Sequence, residues 1–274
     1  MELRYKYFPT PGPVLVLVHG LLGAADNWRF IAKKWAQQGL QVLAVDQRNH
    51  GFSPHSTEHN YTLLAEDLQE FVHKHQLEKP ILLGHSMGAK TVMQYIKMFP
   101  EEASKIILAD MAPRAYHHKD RHNATFNAIL SIDLQQIQTR KEVEIALKTH
   151  LEKSELDLQH LQPDFSLHIP TLVPFLMKNL YTDVNEKLFW RFNVSALQNH
   201  VDDILSPIIF EQKITVPTLV LRGAESDYVS DADLEEMKKI FTFLQIETLP
   251  NAGHWLQADQ PELFYEKILY FCQK

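Results

Sequence analysis

Ile81-Leu82-Leu83-Gly84-His85-Ser86-Met87-Gly88 sets a serine between two glycines directly after a short apolar run. Residues 88–99 carry helical patterning, so the stretch predicts a strand, a sharp turn and a helix. On such a turn a serine stands exposed above the strand end, with the helix N-terminus pointing at it. Glycines on both sides let the strand and helix backbones approach. This is an arrangement that suits a nucleophile. The same residues nearly spell a phosphate-binding loop, with Lys90 and Thr91 in their places. Ala89 replaces the second glycine, where that backbone must wrap the phosphates, and the nucleophile reading is preferred.

A serine nucleophile needs a general base, and the oxyanion it creates needs donors. Leu249-Pro250-Asn251-Ala252-Gly253-His254-Trp255 follows the last strand-like run and places His254 on a loop at a strand's C-terminal end. Ligands bind along that edge in open α/β sheets. The chain has 15 histidines, so position and not residue type singles out His254. Val18-His19-Gly20-Leu21-Leu22-Gly23 ends the first buried run. Its glycines allow a loop that turns the Leu21 amide towards the serine, and the Met87 amide is the second donor. His19 reads as a hydrogen-bonding brace for that loop.

The elements that must carry these residues follow from the apolar pattern. Runs at 14–18, 42–45, 81–83, 106–109 and 218–221 are continuous and aliphatic, as strands buried on both faces of a parallel sheet are. Residues 243–249 alternate and suit a more exposed strand. Helices are expected over 26–38, 61–76, 88–99, 230–240 and 261–272. The alternation predicts an α/β fold. It breaks after about Pro113, and no glycine occurs between Ala89 and Arg222. A helix capped by Asp133 and running towards Leu151, and another over Asn193–Leu205, suggest a helical insert without a clear strand. The expected division is a core of 1–113 and 214–274 with a helical cap of 114–213.

A formal charge of -7 argues against nucleic-acid binding, which needs a basic face. A single cysteine, Cys272, cannot form an internal disulfide. No apolar run is long enough to span a membrane. These features lead to the expectation of a cytoplasmic protein without membrane insertion.

Together the motifs resemble the α/β-hydrolase fold superfamily. Within it, Asp46-Gln47-Arg48-Asn49-His50-Gly51-Phe52-Ser53, Gly84 to Lys90, and Ala109-Asp110-Met111-Ala112-Pro113 with Tyr116 and Arg121-His122 resemble the YbfF-like acyl esterases. The resemblance implies a mostly parallel eight-stranded sheet flanked by helices, an inserted helical cap, and serine hydrolase activity on acyl esters or thioesters. The Asp46–Ser53 loop reads as a scaffold turn. The triad acid is open. In most hydrolases of this fold it follows the penultimate strand three residues after a glycine, and here that position holds Ser226, flanked by Glu225 and Asp227. The resemblance favours Asp110, with Ser226 as a helper. Asp227 and then Glu225 are the alternatives. Trp255 and Trp190 are candidates for the substrate pocket. His118 and His122 have helical spacing but no third ligand in view, so neither a metal nor a cofactor is expected. The expected partner is a small acyl ester or thioester. C–C bond hydrolysis, peptide hydrolysis, lyase chemistry or a non-catalytic binding role on the same fold are the alternatives.

Overall fold

Alternate residues of each apolar run face opposite sides of one sheet. In the computed structural model, which describes residues 1–160 and 165–274, the core elements begin with β1 (Tyr5–Phe8), β2 (Val14–Val18), α1 (Arg29–Gln37), β3 (Gln41–Val45) and α2 (Tyr61–Lys74). They continue with β4 (Ile81–His85), α3 (Met87–Met98) and β5 (Lys105–Ala109). Then come α4 (Lys119–Leu130), α5 (Arg140–Gln159), α6 (Ile169–Met177), β6 (Leu180–Thr182), β7 (Leu188–Trp190), α7 (Val194–Asn199) and α8 (Val201–Leu205). The chain returns to the sheet in β8 (Thr218–Gly223), α9 (Asp231–Ile240), β9 (Leu244–Leu249), α10 (Leu256–Asp259) and α11 (Pro261–Gln273).

The main sheet runs in the order β1-β3-β2-β4-β5-β8-β9. Within this sheet, among the described residues, β1 alone is antiparallel to its neighbour. Val16, Val18, Leu82, Ile106 and Val220 pack with α2, α3 and α9 on one face. Leu15, Leu17, Leu83, Ile107 and Leu219 pack with α1 and α11 on the other. The strand period of two thus splits each run between two cores.

Four expectations need correction. Among the described residues the main sheet has seven strands, not eight. The insert contains a small antiparallel pair, β6 with β7. Its strands are three residues each, too short to leave an alternating pattern. The helix expected from Asp133 starts instead at Arg140, because Thr139 and Glu142 cap one another's backbone amides. Asn193–Leu205 is two helices, α7 and α8, that meet at His200. Within the expected cap, residues 161–164 lie outside the described residues. Among the described residues no helix is long and apolar enough to cross a membrane.

Candidate active site

Ser86 lies between β4 and α3 with φ 54 and ψ -124. That is a left-handed conformation that non-glycine residues seldom adopt. The Ser86 N–H donates to the Ala109 carbonyl at 3.0 Å, and its carbonyl accepts from Ala89 N–H at 2.8 Å. A side chain on Gly84 would collide with the backbone of Gly88, and one on Gly88 with the carbonyls of Val18 and His19. The two glycines are required because strand, helix and the end of β2 meet at this turn.

The loop after β9 brings His254 over Ser86. The Ser86 hydroxyl donates to His254 Nε2 at 2.9 Å, and His254 Nδ1–H donates to Asp110 Oδ2 at 2.8 Å. Asp110 is fully buried at the end of β5, with φ 50. Its carboxylate also accepts from the Gly223 N–H at 3.0 Å and from the Ser226 hydroxyl. Three donors thus hold the carboxylate in one orientation. The Tyr228 ring stacks on the imidazole at 3.6 Å between centroids. From below, His85 Nε2–H donates to the His254 carbonyl at 2.8 Å. Burial, with His254 beside it, lowers His85 to about 4, so it serves as a neutral donor.

The other two acids do not reach the imidazole. Glu225 and Asp227 are exposed, and Asp227 lies 3.9 Å from Arg121 Nη2. Each is one residue away from Ser226, and both lie at the cavity without a hydrogen bond to the imidazole. Ser226 itself joins the site through the Asp110 carboxylate.

The loop after β2 lies against the nucleophile: a Cβ on Gly20 would sit 3.1 Å from that of Ser86. This places Leu21 beside Ser86, while Met87 opens α3 immediately after it. Two histidines brace the loop. His19 Nδ1–H donates to Gly20 O at 2.8 Å, and its Nε2 accepts from Gln47 N–H at 3.0 Å. His50 Nε2 accepts from Leu22 N–H at 3.1 Å, and its Nδ1–H donates to Arg48 O at 2.9 Å. Each ring donates through one nitrogen and accepts through the other, so each must be neutral. Burial lowers His19 to about 4 and His50 well below its ordinary value. His50 is a brace that the sequence reading missed. Its loop read as scaffold, and a contact so distant in sequence leaves no local pattern.

A cavity of about 400 Å³ opens above Ser86. Leu167, Leu172 and Phe175 of the insert line it together with Leu21 and Trp255 of the core, and the Phe175 and Trp255 rings meet at 6.2 Å between centroids. Arg121, His122 and Thr125 of α4 make a more polar wall. Trp255 lines the cavity. Trp190 does not. It belongs to β7, where it stacks on Phe192 with ring centroids 5.3 Å apart. His118 packs against Tyr116 and Tyr228. Among the described residues no group of three or more His, Cys, Asp or Glu is placed to hold a metal ion.

The sequence profile of the alpha/beta hydrolase fold matches residues 13–261. A Danio rerio protein named sn-1-specific diacylglycerol lipase ABHD11 is 31% identical over 276 residues, covering 100% of this chain and 83% of that protein. Esterase YbfF of Escherichia coli is 30% identical over 257 residues, covering 93% of this chain and 91% of its own. A solved structure described as a marine microorganism esterase superimposes with a TM-score of 0.88 at 36% identity, covering 98% of this chain and 99% of that one.

Proposed function

The chain belongs to the α/β-hydrolase fold family, and from that premise we propose that it is a serine hydrolase cleaving carboxylic esters or acyl thioesters. Relatives named esterases and lipases support ester cleavage as the reaction class. The observation that carries the reading in this chain is the hydrogen-bonded run from Ser86 through His254 to buried Asp110. Ser86 Oγ attacks the acyl carbonyl as His254 Nε2 takes its proton. Asp110 holds the tautomer with hydrogen on Nδ1 and stabilises the imidazolium. The amides of Leu21 and Met87 donate to the oxyanion. His254 then protonates the leaving alcohol or thiol. Water, activated by the same imidazole, releases the acid and regenerates Ser86. Every proton transfer uses a group of the chain itself.

The insert, 114–213, acts in this reading as a cap over the 1–113 and 214–274 core. Its aliphatic and aromatic wall accommodates an acyl chain, within the size range of small-molecule sites. A fluorophosphonate probe tests the proposal. The intact protein should gain the mass of one phosphonyl group on Ser86, and Ser86→Ala should gain none. A folded wild-type protein that stays unlabelled would overturn the reading.

A further inference from the structure

Lys90 has no exposed surface. It lies on α3, one turn beyond Ser86, and takes no part in the chemistry above. Its Nζ donates to the carbonyl of Arg114 at 2.8 Å and to that of Ser206. Arg114 is on the segment by which the chain leaves β5 for the insert. Ser206 is on the segment by which it comes back after α8. The amine also sits over the rings of Tyr116, at 4.8 Å, and Tyr61, at 5.7 Å.

The two segments are bonded to each other around this point. Tyr116 N–H donates to Leu205 O at 3.0 Å, and Ile208 N–H to Pro113 O at 2.7 Å. The Tyr61 hydroxyl, from α2, donates to Ile204 O at 2.7 Å. A buried amine is costly unless its donors are matched. Here one amine satisfies one carbonyl from each connection, on the helix that carries the nucleophile.

We infer that Lys90 is a positioning residue that ties both connections of the insert to the nucleophile helix and so sets the insert's wall of the cavity relative to Ser86. The inference rests on the hydrolase reading above. Core residues supply Ser86 and His254, while Leu167, Leu172 and Phe175 come from the insert. An acetyl group needs only the core. A long acyl chain must touch both, so its binding depends on how firmly the insert is held. Desolvation, with Arg114 nearby, lowers Lys90 to about 7. The clamp survives loss of the proton, because a neutral amine keeps two N–H donors for two carbonyls.

The test compares wild type with Lys90→Met in three measurements: fluorophosphonate labelling, kinetics on p-nitrophenyl acetate and octanoate, and hydrogen exchange over 112–118 and 203–209. The expected result is labelled Ser86 in both proteins, with faster exchange in both segments of the variant. KM for octanoate should rise about tenfold while kcat/KM for acetate stays within about threefold. Equal losses on the two esters, or unchanged exchange in the two segments, would overturn the inference. Should the variant fail to fold, the wild-type amides of Tyr116 and Ile208 decide: slow exchange supports the clamp and exchange as fast as exposed loops overturns it. An unlabelled wild-type Ser86 would overturn the hydrolase reading, while the exchange comparison would still judge the clamp.

Discussion

An imidazole can accept a proton from serine only if its other nitrogen carries the hydrogen, and the carboxylate opposite that nitrogen selects the tautomer. Asp110 occupies that place, with Gly223 and Ser226 fixing its other lone pairs. Asp110→Asn should therefore lower kcat on the order of 10⁴-fold, as the equivalent change does in serine proteases. Asp227→Asn, at an exposed carboxylate, should keep kcat within about threefold. Steady-state kinetics on one ester would check both, and a reversed ranking would move the acid to Asp227. That Ser86 and His254 meet was legible in the sequence, because a turn between glycines and a loop at a strand end both place their residues at the same sheet edge. Which carboxylate meets the imidazole was not readable from the residues alone. Its aim depends on a left-handed backbone at Asp110 and on how β5 and β8 pair, and neither leaves a local pattern.

The central strands were legible as elements, because burial on both faces demands unbroken aliphatic runs. β1 was not. It is an edge strand of four residues whose side chains are exposed or half-buried, so nothing forces an apolar pattern on it. In the insert, the start of α5 was legible but misplaced. Thr139-Arg140-Lys141-Glu142 is a capping box: Glu142 Oε2 accepts from Thr139 N–H at 3.0 Å, and Thr139 Oγ1 accepts from Glu142 N–H at 3.2 Å. Asp133 instead accepts from Gln135 N–H at 2.9 Å and holds a turn. Thr139→Ala should cost about 1 kcal/mol in urea unfolding and leave KM unchanged. An unmoved unfolding midpoint would show that the box contributes nothing to the insert's stability.

Across the molecule, the site is assembled where the sheet's C-terminal edge meets the insert, and neutral buried histidines support it from beneath. His19 and His85 both fall from an ordinary 6.5 to about 4 on folding. Between those values the unfolded chain takes up protons that the folded chain refuses. Their contribution is therefore fully present above pH 6.5 and is lost progressively as the pH drops towards 4. Urea midpoints measured at pH 7.0 and 4.5 should fall, and fall less in His19→Asn than in wild type. A wild-type midpoint that holds steady over this window would contradict the neutral pair. If Ser86 is the nucleophile of an ester hydrolase, turnover of p-nitrophenyl esters from acetate to octanoate depends on it. Wild type should release p-nitrophenol catalytically on at least one of them, and Ser86→Ala should lose kcat on the order of 10⁶-fold, as loss of the nucleophile does in a serine protease. A folded wild type that turns over none of the series, or a Ser86→Ala variant as active as wild type, would contradict it.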